Sequence, residues 1–229
     1  MSAYPQNSLR RSQLYRWHHE HGAHFANIAN LVVVNNYDSE RGDGPGLCDL
    51  SLLPRTGLKG PDAIRLLQST VDDTPMEPNQ SILTSDDTRI ARLSLEEFLL
   101  LGSVDFETSE IAMVDQALAA TSGMTYSLPR ADSHCLFALK GRDSPEVLAK
   151  LCAIDLRPGW FATGAVAQTS MARVNAIIIQ HHFAAEPGFF LLADSASTEY
   201  LWTCLLDALQ EFDGGAVGLD SFRTMQHKE

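Results

Sequence analysis

The 229-residue chain is 45% hydrophobic and 20% charged, the balance of a folded soluble domain, which excludes a disordered or low-complexity polymer. A formal net charge of −12 argues against nucleic acid as a partner, because that binding draws its affinity from Lys and Arg displacing counterions. Small anions at a local basic patch stay open.

No apolar stretch reaches membrane-spanning length, and Met1-Ser2-Ala3-Tyr4-Pro5 lacks the charged start and apolar run of a secretory signal, so a cytoplasmic protein with no membrane partner is expected. Cys48, Cys135, Cys152 and Cys204 form no Cys-x-x-Cys pair and no zinc spacing, which reads as free thiols in a reducing compartment. One large domain or two small ones bury enough apolar surface at this length to fold without disulfides or metals.

In chain order, Leu14, Trp17, His18, His21 and Phe25 recur at three and four residues and predict a helix across Ser8 to Phe25. Leu31-Val32-Val33-Val34 predicts a buried strand, Tyr37 to Gly46 a loop rich in Asp and Gly, and Leu47 to Leu53 a return to extended chain. Strands are expected at Arg89 to Leu93 and Glu97 to Gly102, followed by a helix over Ile111 to Ala120 capped by Thr108 or Ser109. Further strands are expected at Ala165 to Thr169, Arg173 to Gln180 and Gly188 to Ala193. Ser195 to Phe212 closes the chain as a helix with Tyr200, Leu201, Cys204, Leu205, Ala208 and Leu209 on its apolar stripe.

A repeat organises this series. Leu58-Lys59-Gly60-Pro61-Asp62 is echoed by Leu139-Lys140-Gly141-Arg142-Asp143, each followed by an amphipathic run. Each copy reads as a strand, a glycine that lets the backbone turn sharply, and an acid where a helix begins. Two related halves follow from it.

Several chemistries find no support. His18, His19, His21 and His24 are dense enough to suggest a metal, but no carboxylate or cysteine sits at a matching spacing, and His181 and His182 fare no better. No serine lies in a Gly-x-Ser-x-Gly turn, and neither the Gly-x-Gly-x-x-Gly dinucleotide fingerprint nor a phosphate-binding Gly-x-x-x-x-Gly-Lys loop is present. Arg10, Arg11 and Arg16 could face an acidic partner surface, and Trp17, Trp160-Phe161 and Phe189-Phe190 are candidates for an apolar contact patch.

The order of several segments resembles the glycine-cleavage aminomethyltransferases and their folate-binding relatives. These are Leu14-Tyr15 through Gly22-Ala23, Leu47-Cys48-Asp49-Leu50-Ser51, Leu58-Lys59-Gly60-Pro61-Asp62-Ala63, Leu139 to Leu151, Glu186-Pro187-Gly188-Phe189 and Tyr200-Leu201-Trp202. Within that family the wording is similar to a short branch, the gamma subunits of heterotetrameric sarcosine oxidases. Ala153-Ile154-Asp155-Leu156-Arg157-Pro158, Ala167-Gln168-Thr169-Ser170-Met171-Ala172-Arg173, Leu192-Ala193-Asp194-Ser195-Ala196-Ser197 and Val217-Gly218-Leu219-Asp220 carry that likeness. The chain also stops where the transferases continue into a C-terminal barrel.

The resemblance implies an α+β fold of two intertwined antiparallel-sheet halves with helices packed on one face, as a single domain over residues 1–229 with related halves at about 8–122 and 123–229. It implies an assembly role beside alpha, beta and delta subunits in a complex that oxidatively demethylates sarcosine or a related N-methyl amino acid. Tetrahydrofolate, FAD, FMN and NAD are then expected in the larger subunits, with no cofactor and no catalytic residue in this chain. The alternative is a tetrahydrofolate-dependent aminomethyl or methyl transferase, or a folate-binding regulatory module.

Glu186 matches the family's folate-contacting glutamate, and Arg92 and Arg223 complete the candidate folate contacts. In the family an acidic pair follows a glycine-rich turn. Here an ungapped reading over Asp86 to Leu93 puts Arg92 at the first carboxylate and Thr88 and Arg89 at the glycines. An arginine cannot accept the proton or hydrogen bond asked of that carboxylate.

Overall fold

A computed structural model describes residues 8–40, 44–106, 109–183 and 186–224, except for the side chains of 223 and 224. The elements in chain order are α1 (Tyr15–Glu20), β1 (Ala23–Ile28), β2 (Leu31–Tyr37), β3 (Gly46–Asp49), β4 (Arg55–Lys59), α2 (Ala63–Gln68), β5 (Gln80–Leu83), β6 (Arg89–Arg92) and β7 (Glu97–Leu101). They continue with α3 (Ser109–Ala120), β8 (Tyr126–Ser127), β9 (His134–Lys140), α4 (Ser144–Ala149), β10 (Val166–Met171), β11 (Val174–Phe183), β12 (Glu186–Asp194), α5 (Thr198–Gln210), β13 (Gly215–Ala216) and α6 (Leu219–Thr224).

The fold is α+β, and the chain divides into two compact units whose segments alternate. The first unit holds the chain through Leu52, then His134–Thr163, then everything from Thr169. The second holds Leu53–Ser133 and takes back the short segment Gly164–Gln168.

In the first unit a six-stranded sheet runs in the order β10-β11-β12-β9-β3-β13, with β1 and β2 as a separate antiparallel pair. Its central strands are continuous apolar runs, Cys135 to Leu139, Ile177 to Ile179 and Phe189 to Ala193, which is the pattern of strands buried on both faces. Register separates those faces, because residues paired across strands point the same way. Gln180 pairs with Phe189 and Phe189 with Leu139, so these three share one face with Phe137 and Leu191. Trp202 of α5 packs its ring 5.1 Å from that of Phe137 on this side. Phe183 pairs with Glu186, and Gly188 with Lys140, which puts Phe183, Glu186, Lys140 and Phe190 on the opposite face. There Phe222 of α6 packs against Phe183 at 4.6 Å.

The second unit is a five-stranded antiparallel sheet, β5-β6-β7-β4-β8, with one face covered by α2 and α3. Leu58, Ile90, Phe98 and Leu100 meet Leu66, Leu67, Ile111 and Val114 in its core. Each fully buried leucine of this set contributes about 1.5–3 kcal/mol. The returned segment closes the outer edge of β5: the Ser81 amide donates to the Gly164 carbonyl at 2.6 Å and the Val166 amide to that of Asn79 at 2.9 Å.

The repeated junctions lie one in each unit and share a geometry. Gly60 has φ +138° and Gly141 φ +128°, and each precedes a six-residue helix by two residues. A Cβ on Gly60 would lie 2.1 Å from the Met124 carbonyl oxygen, and one on Gly141 2.8 Å from Cα of Pro45. Asp62 and Asp143 occupy the N-cap positions, but neither side chain caps its own helix. Asp62 instead accepts the Met124 amide at 2.9 Å and pairs with Arg65 at 3.3 Å.

Several boundaries differ from expectation. The helix expected over Ser8 to Phe25 is only α1, because Gly22 at φ +73° turns the chain and Phe25 enters β1 opposite Val34. The helix expected from Ser195 opens as a 3₁₀ turn over Ser195–Ser197, in which the Asp194 carboxylate accepts the Ala196 amide, before α5 begins. On α5, Trp202 is fully buried while Tyr200 is half exposed, its hydroxyl donating to the Ala172 carbonyl at 3.0 Å. Ser109 lies inside α3 rather than ahead of it, and Thr108 falls outside the described residues. Among the described residues, no helix is long and apolar enough to cross a membrane.

Candidate functional site

Glu186 opens β12, half-buried, on the sheet face that also carries Lys140. Lys140 ends β9 and is 7% exposed; its ammonium donates to the Ser221 carbonyl of α6 at 2.6 Å and lies 4.8 Å from the centre of the Phe222 ring. Burial pulls the Lys140 pKa below the usual lysine value, against the opposing pull of the Glu186 and Glu40 carboxylates. Glu40 in turn accepts the Tyr37 amide at 3.1 Å, the Gly218 amide at 2.8 Å and the Ser221 hydroxyl. A carboxylate, an ammonium and an aromatic ring thus converge on one face of the first unit, beside the helix that bears Arg223. The Arg223 side chain lies outside the described residues.

Lys140 carried no expected site role. Its place in the repeat marked it as a junction residue, and its counterpart Lys59 is one, 55% exposed and 3.4 Å from Glu97. The signal was the neighbour at the next strand: Lys140 faces Gly188, two residues beyond Glu186, and so shares its side of the sheet.

Arg92 belongs to the second unit. Its guanidinium donates to the backbone carbonyls of Ser94 at 3.3 Å, Leu95 at 2.8 Å and Met76, and it lies 5.3 Å over the Phe98 ring. That geometry is a loop staple, and it holds Met76 and Leu95, 70% and 71% exposed, against one cation. Asp86 and Asp87 form the exposed turn between β5 and β6, Asp87 at φ +57°, and Asp86 accepts the Ser109 hydroxyl at 3.0 Å beside the start of α3. Thr88 and Arg89, expected to take the place of the family's glycines, are buried, and burial lowers the Arg89 pKa to about 10. Asp86 therefore serves the α3 start, and the Arg89 side chain is buried.

The histidine cluster resolves into separate roles. His18 is buried with both ring nitrogens engaged, Nε2 with Asp49 at 2.9 Å and Nδ1 with the Tyr37 hydroxyl at 2.7 Å. Asp49 also accepts the Ser12 hydroxyl and the Ser51 amide, the latter at 2.9 Å. Burial pushes the Asp49 carboxyl upward, but the hydrogen bonds and charge of His18, with Ser12 and Ser51, hold it below its ordinary value. Burial also pushes the Tyr37 phenol up. Ser12, Asp49 and His18 line a cavity with room for about one water molecule, so this hydroxyl–carboxylate–imidazole series holds the interior together rather than meeting a substrate. His21 stacks on Trp17, and His24 pairs with Asp38 at 2.7 Å.

Of the aromatic candidates, Trp160 is 79% exposed, whereas Phe189 and Phe190 are in the core because the two faces of β12 are both covered. Cys48 and Cys135 are buried; Cys152 and Cys204 are partly accessible.

Comparison with known proteins gives these geometries a family. The chain matches the GCVT N-terminal domain model over residues 14–228. It is 24% identical to an aminomethyltransferase of Koribacter versatilis across 96% of this chain and 63% of that protein, and 27% identical to one of Streptomyces avermitilis across 88% and 58%. It therefore spans about three-fifths of the curated relatives it matches. Among solved structures, the aminomethyltransferase T of the Bartonella henselae glycine cleavage system superposes with a TM-score of 0.77 at 21% identity, covering 96% of this chain and 62% of that one. A chain of the heterotetrameric sarcosine oxidase of Corynebacterium sp. U-96 superposes with a TM-score of 0.69 at 22% identity, covering 90% and 97%. Fold, repeat geometry and residue matches agree: the chain belongs to the GCVT family of aminomethyltransferase-like folate-binding domains.

Proposed function

We propose that this chain is a gamma-type subunit of a sarcosine oxidase-like complex, in which it assembles with alpha, beta and delta subunits in the cytoplasm and catalyses nothing alone. The observation that carries the reading is the state of the β5–β6 turn and Arg92. Asp86 of the turn is spent on Ser109 at the start of α3, Arg89 is buried, and Arg92 is bound to three backbone carbonyls, so the position that asks for a carboxylate offers a cation that is already engaged. The same staple presents Met76 and Leu95 to solvent, an apolar pair suited to a partner surface. Similarity to a chain of a heterotetrameric oxidase over 97% of that chain's length supports the same role.

A second reading rests on Glu186. Half-buried beside Lys140, its carboxylate suits the N–H groups of a flat heterocycle, which supports a folate-binding module or a tetrahydrofolate-dependent transferase with Arg223 as a further contact. Calorimetric titration of the purified chain with tetrahydrofolate, beside the Glu186→Ala variant, separates the two. Under the subunit reading neither protein gives binding heat, and coexpression with flavin-bearing partner subunits yields a complex that the Leu95→Asp variant weakens. Micromolar binding that vanishes in Glu186→Ala overturns that reading in favour of the second.

A further inference from the structure

On the sheet face opposite Glu186 and Lys140, the first unit contains a second cavity. Gln180 pairs with Phe189 and His182 with Pro187, so all four point away from the Glu186 face, toward the loop from Leu156 to Thr163. The cavity measures about 170 Å³. Its walls are apolar, chiefly Leu156, Pro158, Phe161 and Phe189, with the two phenyl rings 6.4 Å apart and inclined at 31°. The loop that carries Phe161 is held in shape: the Arg157 carbonyl accepts the amides of Trp160 and Phe161, both at 3.1 Å, and the Arg157 side chain is paired with Asp155.

Gln180 sits at the boundary of this apolar space. It is 5% exposed, and its carbonyl oxygen finds no hydrogen-bond partner among the described residues. Buried amides are hydrogen-bonded in the great majority of cases, and an orphan in a roomy cavity marks a position that something else fills. At the mouth, the exposed Thr163 hydroxyl and His182 Nδ1 lie 3.1 Å apart, offering polar atoms without a fixed charge. No Asp, Glu, Lys or Arg lines the space.

We propose that this cavity is a binding site for a small, neutral, single-ring molecule bearing a carboxamide or lactam. Such a ligand stacks its ring against Phe161 and Phe189 in the offset or edge-on arrangements that aromatic quadrupoles favour. Its amide pairs with that of Gln180, N–H to carbonyl in both directions, as the glutamine side chain turns its buried carbonyl toward the ligand. Ions are excluded because nothing in the lining neutralises them. The site is independent of the folate reading, since Glu186 lies on the other face of the sheet.

The test is a nitrogen-15 NMR titration of the full chain with benzamide and with acetophenone, which keeps the ring and carbonyl but lacks the N–H donor. Benzamide is expected to shift the backbone amides of Phe161, Gln180, His182 and Phe189 and to saturate in the millimolar range or below. Acetophenone should bind at least about tenfold more weakly, because it leaves the glutamine acceptor unpaired. Gln180→Leu should abolish that preference. Ala162→Trp, an exposed position on the rim, should block both ligands without touching the interior. Absence of a saturable shift, equal affinity for the two probes, or undiminished binding in Ala162→Trp overturns the proposal and leaves a cavity filled by water only.

Discussion

Removing the imidazole of His18 tests whether the buried series from Ser12 to Tyr37 is an interior clamp. In His18→Leu, Asp49 keeps the Ser12 hydroxyl and the Ser51 amide but loses its charge partner, with its side chain 2% exposed. Stripping one member from such a pair costs about 3–5 kcal/mol. Asp49→Leu leaves a His18 nitrogen, the Ser12 hydroxyl and the Ser51 amide without this acceptor, a loss of about 1–3 kcal/mol for each group left unpaired. The double variant removes both halves together, so its cost should fall short of the sum of the singles by about 2 kcal/mol. Urea unfolding followed by tryptophan fluorescence reads this unit alone, since Trp17, Trp160 and Trp202 all belong to it, and Trp17 and Trp202 each lie 5.5 Å edge-on to His18. A coupling below about 0.5 kcal/mol refutes the clamp. Asp49 also sets a sign in pH. Its folded pKa lies below the unfolded value of about 3.9, so its contribution is complete above that value and disappears as pH falls through the folded one. The acid limb of the stability curve should therefore flatten in Asp49→Leu, and parallel limbs in the two proteins would contradict an anionic Asp49.

Two further outcomes follow from backbone and thiol geometry. Gly60→Ala should destabilise the second unit by more than about 2 kcal/mol, because the left-handed strain is joined by a backbone collision, whereas Gly159→Ala, at φ +95° with open space around it, should cost about 1 kcal/mol in the first unit; hydrogen exchange resolves the two units, and equal costs would show that the Met124 contact is irrelevant. A thiol reagent added to the native chain should modify only Cys152 and Cys204, because Cys48 and Cys135 are 1% and 0% exposed and burial raises the Cys48 thiol; reaction of all four before unfolding would contradict this.

What could be read from residues alone tracked how local the cause was. The strand–glycine–helix junctions at Gly60 and Gly141 were legible because the steric demand resides in a single residue type. The first helix was overextended because its apolar spacing continues past Gly22 into residues that a partner strand, β2, claims. Phe189 and Phe190 form a doublet that alternation sends to opposite faces, and only the presence of packing on both sides, invisible in sequence, buries them both. A motif singles out Glu186 in the sequence, and nothing there singles out Lys140 beside it, since strand register rather than chain spacing brings the two to one side. In the sequence Gln180 is only the end of the strand expected from Arg173, and its unpaired carbonyl emerges only from the packing around it.

The segment Gly164–Gln168 has a consequence for biosynthesis. Residues 53–133 contain every strand of the second sheet, yet the outer flank of β5 is closed only when Gly164 and Ala165 dock against Gln80 and Ser81. At ~5–20 residues per second a ribosome delivers that segment seconds after β5 itself. During the interval the nascent chain displays an open row of amides and carbonyls, the kind of edge that recruits strands from neighbouring polypeptides. Translation speed between β5 and residue 165 therefore sets how long that edge stays open.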